Sequence, residues 1–161
     1  MILPSSRLTG KRRRAWLLAF ALFAGAALPA FAGFNEAMDA VLAEERLSLA
    51  SASYLILSEA RLIDENATAE DAARALAERI PGIDANPART VTLGEYAWYL
   101  MKVNGMSGGL MYRVAPGPRY ALRELQFLKI VQGRAFSRMP LSGERAARIM
   151  GRYLAWKEET R

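Results

Sequence analysis

Two residue types that carry much of enzyme chemistry are missing from this 161-residue chain, which has no cysteine and no histidine. Without histidine, Ser–His and Cys–His nucleophilic sites and His-ligated metal centres are excluded. Without cysteine, thiolate zinc, iron–sulfur clusters, disulfides and thiol redox chemistry are excluded as well. Carboxylate, lysine, tyrosine or serine chemistry remains, and we expect neither a cofactor nor a metal site.

Basic residues are scarce in the middle of the chain, and acidic residues are scarce on both sides of it. Residues 1–32 hold five basic side chains and no acidic one, out of 22 Lys and Arg against 16 Asp and Glu in total. Residues 33–101 carry 5 basic and 12 acidic groups, whereas residues 102–161 carry 12 and 4. The chain after residue 32 is close to neutral, so we expect no nucleic-acid partner. The asymmetry predicts a dipolar surface and an anionic partner at the C-terminal half.

The first 32 residues have the pattern of a cleaved secretory signal peptide. A basic cluster, Lys11-Arg12-Arg13-Arg14, precedes an apolar run over residues 15–28, and Pro29 is followed by the cleavage motif Ala30-Phe31-Ala32. We expect the mature protein to begin at Gly33 and to be periplasmic or associated with the cell envelope. A retained N-terminal anchor is the alternative, because the uncharged stretch is just long enough to span a bilayer.

Periodicity and capping signals predict that residues 33–161 form a single all-α domain of five or six short helices. Helical spacing relates Phe34, Met38, Val41 and Leu42. Further helices are predicted over 49–63, 68–80, 92–103 and 118–132, and from Ser142 onward. The glycine- and proline-rich stretch 105–118 is predicted to be irregular, with a brief strand at Leu110–Val114. The last helix has a predicted apolar stripe: Ala146, Ile149, Met150, Tyr153 and Leu154.

The chain is similar to itself in two places. Segments 54–63 and 122–131 both end in a branched apolar pair, and each is followed by a capped helix start, at 91–102 and at 140–153. Gly94-Glu95 aligns with Gly143-Glu144, and Leu100 aligns with Ile149. The pattern predicts two related helix–loop–helix units at about 50–104 and 118–156.

These units resemble the S-layer homology module, in which a Thr-Arg-Ala-Glu-like start opens an apolar helix. Thr92-Leu93-Gly94-Glu95 and Ser142-Gly143-Glu144 stand at that position, and Ile130-Val131-Gln132-Gly133 matches the preceding turn. The resemblance implies a helical fold that binds cell-wall polymer. The motif's arginine is replaced by Leu93, the second unit has no clear counterpart, and the family's modules typically come in threes.

Basic residues of the C-terminal half are the first candidates for binding. Arg145, Arg148 and Arg152 fall at i, i+3 and i+7 and are predicted to lie along one exposed face. Arg119 and Arg123 belong to the same basic half. Because guanidinium groups bind carboxylate and phosphate in a bidentate manner, this stripe is suited to wall polymer, anionic lipid or an acidic protein.

A second candidate surface lies on the helix that follows Thr92. Glu95, Tyr99 and Lys102 fall at i, i+4 and i+7, away from the predicted apolar face. An exposed tyrosine flanked by opposite charges is suited to stacking on a sugar ring.

We therefore predict a non-catalytic exported protein that binds a wall polymer or another envelope protein, with peripheral membrane contact left open. One alternative is a carboxylate-based hydrolase of wall glycans. Such an enzyme would use two acids facing a cleft, drawn from Glu59, Glu95, Glu124 and Glu144. The other alternative is a structural subunit that self-associates through its acidic and basic halves.

Overall fold

The computed structural model describes residues 37–64 and 66–160, and this part of the chain is all-α as predicted. Residues 37–43 are helical. The helices that follow are α1 (Leu49–Glu59), α2 (Ala69–Arg79), α3 (Leu93–Val103), α4 (Leu110–Val114), α5 (Pro118–Phe127) and α6 (Gly143–Glu159). The predicted signal peptide and its cleavage site lie outside the described residues.

Residues Asp39–Arg161 form one compact unit. In this unit, α1 packs against α2, α3 and α6, while α5 packs against α3 and α4. The buried apolar side chains of the described residues all belong to this unit, from Val41 to Tyr153. Residues 39–161 therefore enclose a hydrophobic core of their own.

Reciprocal capping explains where α2 and α3 begin. Thr68 Oγ1 accepts from the Asp71 backbone N–H at 3.1 Å, and the Asp71 carboxylate accepts from the Thr68 N–H at 3.4 Å. Thr92 and Glu95 repeat the arrangement at 3.3 and 2.9 Å. Each box satisfies two donors that a helix N-terminus leaves free, and both starts were predicted from the sequence.

Two helices end earlier than their apolar spacing predicts. α1 ends at Glu59 instead of Ile63, and α5 ends at Phe127 instead of residue 132. Just beyond them, Arg61 and Lys129 adopt positive φ angles of 55° and 59°. A left-handed residue ends the right-handed helix, and neither position carries the glycine that normally marks such an ending.

The strand predicted at Leu110–Val114 is wrong, because this segment forms the short helix α4. Tyr112 is its one buried side chain and lies against Gly108, where an added Cβ would come within 2.5 Å of the ring. Packing of this single aromatic residue decides the local structure, since a five-residue run has little conformational preference of its own.

Two residues of the predicted apolar stripes are exposed. Ala146, Ile149, Met150 and Tyr153 are buried in α6 as predicted, but Leu154 is 41% exposed. At 3.6 residues per turn, Leu154 lies about 90° from the centre of that stripe. Near the N-terminal end, Leu42 is exposed beside the buried Val41.

Helices α1, α3 and α6 begin around a common centre. The residues that precede their N-caps, namely Leu47, Val91 and Leu141, are fully or almost fully buried. The Val91 N–H donates to the Leu47 carbonyl at 2.8 Å, and the Leu47 N–H donates to the Leu141 carbonyl at 2.7 Å. Three segments that are distant in sequence are thus joined through their backbones.

A second set of backbone hydrogen bonds closes a cycle among the three helix starts. The residue after each N-cap donates to a carbonyl that lies three or four residues before the N-cap of another of these helices. The pairs are Leu49 N to Arg89 O at 2.7 Å, Leu93 N to Met139 O at 2.9 Å, and Gly143 N to Glu44 O at 2.9 Å. We call this arrangement the ring of helix starts.

The helix start at Ser48 was not among those aligned from the sequence. Ser48 Oγ accepts from the Ser51 N–H, as Ser142 Oγ accepts from the Arg145 N–H. The Glu44 carboxylate accepts from the Ser48 N–H at 2.6 Å, the role that Glu95 has at the start of α3. The third helical position of α1 is Ser51 instead of a glutamate, and the capping carboxylate comes from Glu44 in the preceding segment. The sequence comparison therefore did not detect this helix start.

The N-caps also change the register of the sequence alignment. Leu100 and Ile149 are both buried, but Leu100 lies eight residues after Thr92, and Met150, not Ile149, lies eight residues after Ser142. The helices that directly precede the starts of α3 and α6 are α2 and α5. Segment 54–63 belongs mostly to α1, so its alignment with segment 122–131 pairs helices in different positions.

Candidate functional site

The half-buried side chains around Glu95 include an arginine that the sequence did not point to. Arg89 Nη1 donates to Glu95 Oε1 at 2.7 Å, and Arg89 Nη2 donates to Tyr99 Oη at 2.8 Å. The other carboxylate oxygen of Glu95 accepts from the Thr92 N–H and hydroxyl at 2.9 and 2.8 Å. Glu95 therefore links the loop before α3 to the first turn of that helix.

The charges of this cluster stabilise one another. Burial alone would raise the pKa of Glu95, but hydrogen bonds from Thr92 and Arg89 outweigh it and hold this pKa below its ordinary value. Burial alone would lower the pKa of Arg89, but the interactions with Glu95 and Tyr99 outweigh it and raise this pKa above its ordinary value. A carboxyl group with a lowered pKa is a poor proton donor near neutral pH, so the geometry favours a structural ion pair.

The predicted exposed face of Glu95, Tyr99 and Lys102 is not formed. Tyr99 is only 1% exposed, and its ring centroid lies 5.7 Å from that of Trp98. Helix α3 packs against both α1 and α5, so its buried arc is wider than its aliphatic pattern indicates. Lys102 is exposed and Glu95 is half-buried. Tyr99 is thus unable to stack on a sugar at the surface.

The three arginines of α6 differ in how much of each is accessible. Arg148 is exposed and lies 3.4 Å from Glu144, whereas Arg145 and Arg152 are half-buried. Arg145 Nη2 donates to the Arg134 carbonyl at 2.8 Å, so this guanidinium group holds the loop before α6. The prediction of one uniformly exposed stripe is wrong at Arg145 and Arg152, and at Arg145 the loop before α6 folds back over the side chain.

The remaining basic side chains leave much positive charge uncompensated. Arg119 and Arg123 are exposed on α5. Of the 11 Lys and Arg residues between 102 and 160, two, Arg148 and Lys157, form ion pairs with acidic residues in the described part of the chain. An anion would therefore meet little competition from acidic partners at most of these basic groups.

The four carboxylates considered for glycan hydrolysis are mostly engaged with other groups. Glu59 lies 2.7 Å from Lys157 Nζ, and Glu95 and Glu144 are paired with arginines. Glu124 lies against Gly109, where an added Cβ would come within 2.7 Å of Oε1. Within residues 37–64 and 66–160, no three acidic side chains are grouped as they would be around a metal ion.

The sequence matches no family model, and neither a curated protein nor a solved structure gives a match. The described residues form an all-α fold in which three of the capped helices, α1, α3 and α6, start around one ring of backbone hydrogen bonds. None of the described helices combines the length and the apolar composition needed to cross a bilayer.

Proposed function

We propose that this chain is a non-catalytic exported protein that binds an anionic polymer or protein of the cell envelope. The observation that carries the proposal is the uncompensated positive charge between residues 102 and 160. Guanidinium groups bind carboxylates and phosphates in paired hydrogen bonds, and both groups are frequent in envelope polymers. Export is inferred from residues 1–32.

The ring of helix starts supports an extended form of the S-layer homology resemblance. In this proposal a helix, an extended segment and a capped helix occur three times, at 37–59, 69–103 and 118–159. Ile80 and Ile130 are both buried and each lies 12 residues before an N-cap, Thr92 or Ser142. Three units agree with the number typical of the family, whereas the sequence had indicated two.

Sedimentation with purified cell walls tests the binding proposal. The double variant Arg119→Gln and Arg123→Gln should bind at least about fivefold more weakly than wild type, on the order of 1 kcal/mol for two lost contacts. The matched control is Arg46→Gln with Arg74→Gln, which removes two exposed arginines from the acidic half. Added salt should weaken the wild-type interaction, because exposed charges are screened.

The same preparation distinguishes the other classes of protein. Wall binding that is unchanged in the α5 double variant and at high salt would contradict the proposal that basic residues bind the wall. New muropeptides released from the walls would establish a hydrolase. Sedimentation velocity of the protein alone would reveal self-association. Intact mass of the exported protein should correspond to a chain that begins at Gly33, and recovery of the full-length chain in membranes would indicate an anchor.

A further inference from the structure

Helix α4 exposes large apolar side chains that the other described residues leave uncovered. Leu110, Met111 and Val114 are 73%, 53% and 74% exposed. Three of its five side chains are therefore apolar and directed at solvent, and a compact domain does not gain stability from that arrangement. The sequence analysis missed this feature, because it assigned the segment to a loop or a brief strand.

The three side chains form one face of the helix. At 3.6 residues per turn, Leu110, Val114 and Met111 fall within an arc of about 100°, and Tyr112 lies about 150° from the middle of that arc. Tyr112 is buried, and α4 packs against α5. The buried tyrosine thus anchors the helix with its apolar face outward. We call Leu110, Met111 and Val114 the α4 apolar face.

Positive charge surrounds this face in the sequence. Residues 102–123 contain four basic side chains and no acidic one, and the one acidic side chain that follows, Glu124, is half-buried against Gly109. Lys102, Arg113, Arg119 and Arg123 are all exposed. None of them forms an ion pair with another described residue. An apolar face on a short helix, with these exposed basic side chains on the same helix and on α3 and α5, is complementary to a lipid interface that carries anionic headgroups above an acyl layer.

From this combination we infer that the α4 apolar face inserts into the surface of an anionic membrane. Three side chains are far fewer than the 20 to 30 residues per partner of a typical stable protein interface. A symmetric contact between two copies would also bring like charges together. A lipid surface requires neither a large area nor an opposite protein charge. This contact goes beyond the proposed envelope binding and is independent of wall polymer.

The test uses the chain that begins at Gly33, because residues 39–161 enclose their own core. Its binding is measured by co-sedimentation with vesicles of phosphatidylglycerol and phosphatidylcholine in equal parts, and with vesicles of phosphatidylcholine alone. The triple variant Leu110→Ser, Met111→Ser and Val114→Ser should bind the anionic vesicles at least about tenfold more weakly. Phe136→Ser is the control, since it removes a 58% exposed side chain from the loop that is hydrogen-bonded to the first turn of α3, whereas α4 follows the other end of that helix.

Insertion is measured separately from binding by tryptophan fluorescence. In Leu110→Trp the emission should shift to shorter wavelength when anionic vesicles are added, because the new indole enters an apolar layer. In Phe136→Trp it should not shift. Thermal unfolding followed by circular dichroism verifies that each variant is folded.

Three outcomes would overturn the inference. The first is a wild-type protein that does not bind anionic vesicles. The second is a triple variant that binds them as tightly as wild type, which would mean attraction by charge alone. The third is concentration-dependent association without vesicles that the triple variant abolishes, since the α4 apolar face would then bind a second copy. Loss of wall binding in the α5 arginine variant bears on the proposed function alone.

Discussion

Arg89 and Glu95 form the ion pair that fixes the loop between α2 and α3. Each side chain is 24% exposed, so the pair is partly shielded from solvent and from screening by salt. Arg89 also reaches Tyr99 Oη, which gives that buried hydroxyl its partner. Removing either charge would leave a half-buried partner whose desolvation is no longer compensated.

The lowered pKa of Glu95 predicts a pH dependence of stability. Because folding favours the ionised carboxylate, its contribution is present above the ordinary value of 4.5 and is lost as the pH falls through the lower folded value. We expect Glu95→Gln to lower the free energy of unfolding by about 1–3 kcal/mol at neutral pH. The difference from wild type should shrink in acid, as measured by urea unfolding.

Glu78→Gln is the control for this measurement, because Glu78 is exposed on α2 and no ion pair with another described residue involves it. Its small effect should not change with pH. An equal gap between wild type and Glu95→Gln at pH 7 and pH 3 would show that the charge of Glu95 does not contribute to stability.

The residues around Glu95 show how much of the candidate site could be predicted from the sequence. Glu95 was recognised as a capping residue because its partner, Thr92, lies three positions away. Arg89 lies in a loop, where no periodicity relates it to Glu95 or Tyr99. Tyr99 is buried in a helix that packs against both α1 and α5, and contacts between separate helices leave no pattern in the sequence around it.

The beginnings of the helices are determined by residues that are close in sequence, whereas their ends are harder to predict from neighbouring residues. Thr68, Thr92 and Ser142 cap helices as predicted, since a side-chain oxygen and a backbone N–H three residues later suffice. The endings after α1 and α5 depend on Arg61 and Lys129 in a conformation that their residue types do not announce. Backbone hydrogen bonds from Leu62 N to Leu57 O and from Ile130 N to Leu125 O, both 2.9 Å, close the two helix ends in that conformation, so the sequence overestimates both helices.

At two glycines of α6, we expect substitution by alanine to change the stability of the protein in opposite directions. At Gly143 an added Cβ would lie 1.6 Å from the Val41 carbonyl oxygen, and a backbone atom is unable to move aside. Gly143→Ala should therefore destabilise the protein by about 2 kcal/mol or more. At Gly151 nothing lies within 4 Å, so Gly151→Ala should stabilise it by up to about 1 kcal/mol.

Chemical denaturation of the two glycine variants beside wild type gives the comparison directly. If Gly143→Ala were as stable as Gly151→Ala, the close approach of α6 to the segment at Val41 would be wrong. The ring would then lack its connection from Gly143 to Glu44.

At the scale of the whole molecule, the ring of helix starts joins segments about 45 and 50 residues apart. The trace that all three starts share in the sequence is a short pattern, Leu-Ser, Val-Thr and Leu-Ser, before α1, α3 and α6. Such dipeptides are too common to reveal a cycle of hydrogen bonds. The all-α class could be predicted from local periodicity, whereas the arrangement of helices arises from contacts between distant residues.

The ring also predicts that α3 and α6 unfold together. The start of α3 is bonded through Leu93 to Met139, in the segment before α6, and the start of α6 is bonded through Gly143 to Glu44, in the segment before α1. Neither helix can therefore separate without breaking the cycle. The chain that begins at Gly33 contains two tryptophans, Trp98 on α3 and Trp156 on α6. Each can report on its own helix when the other is replaced.

In Trp156→Phe the fluorescence of Trp98 follows α3, and in Trp98→Phe the fluorescence of Trp156 follows α6. Within each variant, the urea midpoint from fluorescence should equal the midpoint from far-ultraviolet circular dichroism, as expected for a two-state transition. Comparison within a variant removes any effect of the substitution itself on stability. A fluorescence midpoint for Trp156 well below the circular dichroism midpoint would mean that α6 detaches first, and that the ring does not bind the three helices into one cooperative unit.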